Sequence, residues 1–353
     1  MKLTLVLPSL VWPQALEEPG AQFVAPALAR LLADTRLGAV YALTPEEWLA
    51  QQLGLIRQQD LPIAALLAQA DGLNTTPRYW LFAEPVHLQL GHDDVRFGQL
   101  LHPIPEEETR AVLASLNAHF GADGWQFHRG ASGRWYLALP SPAALRTVPP
   151  RRAWGQPVRH HLPQGDAARA WSRALTEVQM LLHAHPVNAT REARGAAVIN
   201  SLWFWGGGAV QALAGAQGVS LFAANELVCQ LAAACGAKFT ALPREAAMLD
   251  SVVTDAIVWL DALDPPHNAG EAAAWREALQ VIESQWLAPL AERVNRGECA
   301  LHVLACARDR AVLVEYQRPQ WLARLRAPRK GVHAILQGLA DRLENAGNRA
   351  EAP

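Results

Sequence analysis

The chain has 353 residues, 51% of them hydrophobic and 18% charged, with a formal net charge of −2 at pH 7. That length fits about two domains or one large α/β domain with an insertion, and the apolar content is enough for a full core. The near-neutral balance gives no electrostatic reason to expect nucleic acid or a membrane as partner.

From the N-terminus, Leu3 to Leu7 reads as a short buried strand. The segment Met1–Pro8 carries one lysine and an apolar run too short for a signal core or a bilayer span, so a cytoplasmic protein is expected. Phe23 to Leu32 has helical spacing after Pro19-Gly20. Thr44-Pro45-Glu46-Glu47 is a helix start, with Thr as cap, Pro in the first turn and acids against the dipole. Leu61 to Ala70 continues as another helix.

From Tyr79 the period changes. Trp80 to Leu90 and Val95 to Leu101 predict a hairpin about Gly91-His92-Asp93-Asp94; Pro105-Glu106-Glu107-Glu108 opens a helix to about His119. Trp125 to Arg129 and Arg134 to Leu139 predict a second hairpin, so residues 80–140 form a strand-strand-helix-strand-strand subdomain. Residues 141–165 are a proline-rich connection without expected regular structure.

Alternation then resumes, with a helix at 166–184, a strand at 197–205, a helix at 220–235, a strand at 255–260 and a long helix at 270–294. Strands at 300–306 and 311–316 and a helix near 331–345 follow, and the tail after Ala346 reads as frayed. The expected fold is α/β, a mainly parallel sheet covered by helices. The core is expected from residues 1–79 and 166–353, with 80–140 inserted.

Candidate chemistry is sparse. Cys229, Cys235, Cys299 and Cys306 form no CxxC pair and read as reduced, buried thiols. The 13 tryptophans are spread over the whole length, which favours core filling over one aromatic cage. In the run Ala197 to Gly208, Ser201, Trp203 and Trp205 share one strand face and Leu202 and Phe204 the other, before three glycines. Asn200, Trp203, Trp205, Gly206, Gly207 and Gly208 are candidates for a ligand rim whose peptide N–H groups could cradle an anion. The alternative is a close-packed strand-to-helix turn with both indoles in the core. No Lys-Ser/Thr follows, and the spacing is neither a Walker loop nor GxGxxG.

Asp261, Asp264 and His267 lie just after the apolar strand Ile257 to Leu260, where open α/β sheets place ligands. Two carboxylates and an imidazole can hold a divalent metal. Pro265-Pro266 between them, and the lack of a second cluster, favour a polar loop that caps the next helix. His160-His161 and His183/His185 lack the spacing of a zincin pair, and Ser9 has no G-x-S-x-G elbow. Arg151, Arg152, Arg159 and His160 form a local basic cluster that can meet a phosphate or simply be solvated.

The chain resembles a bacterial family labelled RpfE-type regulatory proteins and, more distantly, the archaeal-type cofactor-independent phosphoglycerate mutases of the alkaline phosphatase superfamily. The resemblance rests on Ala25 to Leu32, Leu61 to Leu66, Trp80 to Leu88 and Arg134 to Leu137, on Asn200, Trp203, Trp205, Gly206 and Gly208, and on Asp261 to Asp264. It implies an alkaline-phosphatase-like core with an inserted subdomain. Such mutases hold two divalent metals on Asp and His clusters and use a metal-activated Ser, because phosphoryl transfer needs its charge neutralised. This sequence departs from that pattern. Leu7-Pro8-Ser9-Leu10 stands where a metal-binding Asp is found, no nucleophile segment occurs between Gly38 and Glu47, and Ala307-Arg308-Asp309-Arg310 replaces an Asp-His pair. At most Asp264 and His267 remain of the ligand set.

The resemblance thus implies a degenerate, non-catalytic regulatory protein without cofactor that binds a small metabolite or a protein partner near Gly206–Gly208 and Asp261–His267. The alternative is a phosphatase or phosphomutase using Mn²⁺ or Zn²⁺ on a site rearranged around Asp261, Asp264 and His267.

Overall fold

The computed structural model describes residues 1–17, 23–33, 35–213, 218–249, 254–316 and 331–350. The expected turn at Pro19-Gly20, Trp321 and the last three residues lie outside them. The chain forms two compact units, one from Met1–Leu53 with Gly215–Pro353 and one from Gly54–Ala214.

The first unit is built on a seven-stranded sheet. Its strands are β1 (Lys2–Leu7), β2 (Thr35–Tyr41), β8 (Ser220–Ala223), β9 (Lys238–Ala241), β10 (Ala256–Trp259), β11 (Ala300–Cys306) and β12 (Ala311–Tyr316), in the order β2-β12-β11-β1-β10-β8-β9. β1 runs parallel to β10 and β11, β10 to β8, and β8 to β9, while β12 is antiparallel to β11 and β2. The sheet is therefore mainly parallel and flanked by helices, as the alternation predicts.

The apolar run of β1 follows from that position, since a central parallel strand is buried on both faces. Leu3, Leu5 and Leu7 enter a core with Val258, Val303 and Val314 and with Leu28, Trp275, Leu290 and Leu336 from the helices. Val6, Ile257, Trp259 and Leu304 are buried on the opposite face.

The helix Ala272–Ile282 passes through a π-helical turn, Glu283–Leu287, into the helix Ala288–Arg296. The turn aims the Glu283 carboxylate at the start of the helix Pro26–Ala33, where it accepts from Ala27 N at 2.6 Å and Leu28 N at 3.0 Å. Those N–H groups have no partner within their own helix, so a side chain distant in sequence does the work of an N-cap.

The second unit carries β3 (Tyr79–Leu90), β4 (Val95–Leu100), β5 (Gln126–Arg129), β6 (Trp135–Leu139) and β7 (Ser201–Gly208). β3 is long enough to pair β6 through Tyr79–Phe82 and β4 through Val86–Leu90, while β7 lines its other side antiparallel, with Glu84 opposite Trp203. The helices Glu106–Phe120 and Ala168–His183 cover Leu81, Leu137, Leu202 and Phe204 on one face. On the other, the helix Ile63–Ala70 packs against β3 and β7. Asp71 ends that helix and accepts from Ser132 N at 3.2 Å, Ser132 Oγ at 2.5 Å and Tyr136 Oη at 2.7 Å, which ties the β5–β6 turn to the helix.

Four expectations are corrected. The run around 197–205 becomes β7 and pairs with β3 instead of entering the parallel sheet, because a continuous apolar strand is equally at home in either buried sheet. Segment 220–235 is β8 followed by the helix Glu226–Ala234, started by Asn225, whose side chain accepts from Val228 N at 3.1 Å. The helix Val332–Ala350 continues past the supposed fraying point. The connection 141–165 contains the short helix Pro150–Ala153. Residues 80–140 lie within the second unit, whose layers also include β7 and the helices at 63–70 and 168–183.

Candidate functional site

Because β1, β8 and β10 are parallel, the residues that follow them meet at one edge of the sheet. Ser9 follows β1, Asn225 follows β8, and Asp261 and Asp264 follow β10. Ser9 Oγ donates to Asp264 Oδ1 at 2.6 Å, and Asn225 Nδ2 donates to Asp261 Oδ2 at 3.1 Å. Ser9 has φ of 55°, a left-handed conformation costly for a residue with a side chain, and its carbonyl accepts from Trp275 Nε1 at 2.8 Å. His267, one turn beyond Asp264 in the helix Asp264–Ala269, is buried with its ring edge against Trp12 at a centroid distance of 4.9 Å.

Ser9 is 1% exposed, so its hydroxyl is closed to solvent. Cys229, one turn into the helix that Asn225 caps, has its thiol pushed up by burial and by the Asp261 and Glu226 charges, the opposite of an activated thiolate. Among the described residues no group of three or more His, Cys, Asp and Glu side chains is arranged to hold a metal ion. Among the described residues the donor set offers no second cluster for a two-metal centre. Carboxylate oxygens of Asp261 and Asp264 are engaged by neutral protein donors and the imidazole packs on an indole.

The remaining sequence candidates lie in the second unit. The Asn200 side chain accepts from Leu88 N at 2.7 Å and donates to Leu88 O at 2.8 Å, extending the β3–β7 ladder by one rung. Trp203 Nε1 donates to Val148 O at 2.7 Å and the ring meets Phe97 edge-on, while Trp205 stacks on Phe82 with centroids 4.6 Å apart. Gly206 has φ of 69°. A Cβ on Gly207 would lie 2.6 Å from Tyr79 Oη, and one on Gly208 would strike Pro62. These glycines let β7 approach its protein neighbours. Trp203, Trp205 and Gly206–Gly208 thus lie on β7 with Asn200 just before it, whereas Asp261, Asp264 and His267 belong to the other unit.

Sequence reasoning singled out neither Glu84 nor Ser9 in its observed role. Glu84 projects from β3 on the face that carries Phe82, and Trp205 pairs across the strands from Phe82. Among the described residues the buried Oε2 of Glu84 has no hydrogen-bond partner. Burial pushes the carboxyl up to about 7, against the lowering pull of the Trp205 indole N–H and of Arg134. That N–H faces the charge but falls short of full hydrogen-bond geometry. An acidic residue within the apolar run Tyr79–Val86 is the signal the sequence carries.

The fold is that of a mixed α/β protein with a mainly parallel sheet flanked by helices, and the residues after β1, β8 and β10 are hydrogen-bonded to one another. Residues 99–188 match the family described as 2,3-bisphosphoglycerate-independent phosphoglycerate mutase. The chain is similar to the probable 2,3-bisphosphoglycerate-independent phosphoglycerate mutase of Geobacter sulfurreducens, 29% identical over 106 residues that cover 30% of this chain and 27% of the relative. It is also similar to the enzyme of that name from Methanothrix thermoacetophila, 24% identical over 221 residues, 57% of this chain and 56% of the relative. The matches thus span between about a quarter and just over half of these relatives' lengths. The cofactor-independent phosphoglycerate mutase from Thermoplasma acidophilum superposes with a TM-score of 0.46 at 15% identity, over 97% of this chain and 100% of that one. Together the sequence matches support a distant resemblance to phosphoglycerate mutases of this kind.

Proposed function

We propose that this chain is a degenerate phosphoglycerate-mutase-like protein that carries out no metal-dependent phosphoryl transfer and serves as a regulatory, metabolite-binding protein. The observation that carries this reading is the Ser9–Asp264 hydrogen bond. A buried hydroxyl occupies a carboxylate oxygen at the edge where the resemblance calls for a metal-binding Asp. Transfer of a phosphoryl group needs cations on its equatorial oxygens and an activated nucleophile. Here the nearest hydroxyl is sealed and the nearest carboxylates accept protein hydrogen bonds. The regulatory role follows the resemblance to the RpfE-type family. For the bound metabolite, the beginning of β7 is the better half of the candidate segment, because Gly206–Gly208 are closed by Phe82, Tyr79 and Pro62.

The test is turnover of 3-phosphoglycerate and of p-nitrophenyl phosphate by the purified full chain in added Mn²⁺ or Zn²⁺. The reading expects rates at the uncatalysed background with either substrate. Turnover that is lost in Asp264→Ala overturns it in favour of a rearranged phosphatase or phosphomutase site.

A further inference from the structure

A cleft in the second unit opens between the helix Ala168–His183, the loop 158–163 and the β3–β4 turn. It has an outer lobe of ≈ 430 Å³ and a narrow inner lobe of ≈ 30 Å³, and the two share Leu88, Val158, Leu162, Leu175 and Gln179. The inner lobe ends on Ser201–Phe204, the first half of β7, with Trp203 on its border. The outer volume lies within the range of small-molecule sites.

The lining divides by chemistry. Four aliphatic side chains, Leu88, Val158, Leu162 and Leu175, surround the waist, which suits an alkyl body. At the inner end Gln179 Nε2 donates to Ser201 Oγ at 3.3 Å. Ser201 is 2% exposed, and among the described residues its hydroxyl donates to nothing while Gln179 Oε1 accepts from nothing. One donor and one acceptor are therefore left over, the pair that a carboxamide or an alcohol satisfies. At the mouth, Asp93 and Asp94 face the outer lobe. Asp94 accepts from Arg96 Nε at 3.0 Å and Nη2 at 3.4 Å, and Arg159 Nη1 lies 3.9 Å from its Oδ2. Among the described residues no Lys or Arg lines the inner lobe, so a carboxylate head there would lose its hydration without gaining an opposite charge.

We propose that this cleft binds a small uncharged amphipathic molecule, with its alkyl body between Leu88, Val158, Leu162 and Leu175 and a hydroxyl or carboxamide head at Gln179 and Ser201. This names the ligand class for the binding role proposed above and rests on that reading. A failure here leaves the turnover test untouched, and turnover in Mn²⁺ would leave the cleft's occupancy a separate question.

The experiment is ligand-observed saturation-transfer NMR on the full chain with hexanamide as probe and hexanoate as its charged analogue. Eight heavy atoms support a millimolar Kd at ordinary ligand efficiencies. Gln179→Leu sits at an exposed helix position and keeps the fold, so it isolates the head group. Hexanamide is expected to bind saturably, about tenfold more weakly in Gln179→Leu, and hexanoate at least about tenfold more weakly than hexanamide. Val158→Trp, on the loop side, is expected to abolish binding by filling the waist. The proposal is overturned by no saturation up to about 50 mM, well past the range such a probe supports. Equal binding of hexanoate, or binding indifferent to both substitutions, would also overturn it.

Discussion

Ser9 Oγ reaches Asp264 Oδ1 at 2.6 Å although 255 residues separate them, and the bond joins the turn after β1 to the first turn of the helix after β10. A hydroxyl bonded to a carboxylate contributes about 1–3 kcal/mol when partly buried. Ser9 also holds φ of 55°, which costs a residue with a Cβ about 1–2 kcal/mol. Ser9→Ala therefore loses the bond and keeps the strain, whereas Ser9→Gly loses the bond and relieves the strain. Urea denaturation is expected to rank wild type above Ser9→Gly and Ser9→Gly above Ser9→Ala. Ser9→Ala as stable as wild type would mean the bond contributes nothing.

Glu84 makes stability fall with rising pH. Its carboxyl is held up to about 7 by burial, from an ordinary value of 4.5, so the folded state binds a proton that the unfolded chain has released. The stabilisation is complete below pH 4.5 and is lost as pH rises through about 7, an amount of up to about 3 kcal/mol. Glu84→Gln, a neutral isostere, is expected to flatten the stability profile between pH 5 and 8. An unchanged slope in that variant would place the titration elsewhere.

Glu108 acts with the opposite sign. Burial raises its carboxyl, but hydrogen bonds from Arg191, at 2.6 Å, and from Arg194 outweigh that and hold it below the ordinary value. This contribution is present above the unfolded value and is lost as pH falls through the folded one, on the acid side of 4.5. Removing one partner of a buried ion pair costs about 3–5 kcal/mol, so Arg191→Ala is expected to lower Tm strongly and Glu108→Gln less. Equal melting of Arg191→Ala and wild type at pH 7 would show that the pair is not buried as described.

Gly207 and Gly208 test whether the end of β7 is packed against protein. Tyr79 and Pro62 occupy the space a methyl group needs, so Ala at either position is expected to destabilise by about 1–3 kcal/mol. Gly207→Ala melting at the wild-type temperature would mean that this space is open to a ligand.

The hairpins were legible because local chemistry fixes them. Gly91 to Asp94 separates two alternating runs, and β3 and β4 form where that pattern places them. The central strands of the parallel sheet were legible as short apolar runs buried on both faces. The partner of β7 was not, since a wholly buried strand carries no polar face to say which sheet it joins. β8 is not separable from its following helix by periodicity, although Asn225 followed by Glu226 is a usable cap signal. The bonds at the edge after β1, β8 and β10 join Ser9 to Asp264, 255 positions apart, and Asn225 to Asp261, which follow separate strands, beyond any local pattern. The departures from the mutase motif at Ser9 and at Ala307–Arg310 were visible in the sequence. That Ser9 bonds to Asp264 needed the fold.

The most direct test of the central claim is isothermal titration of Mn²⁺ into the metal-stripped full chain. A protein whose Asp264 carboxylate is held by Ser9 is expected to show no saturable site in the micromolar range. Two saturable sites that disappear in Asp264→Ala would contradict the account and restore a metal-dependent enzyme.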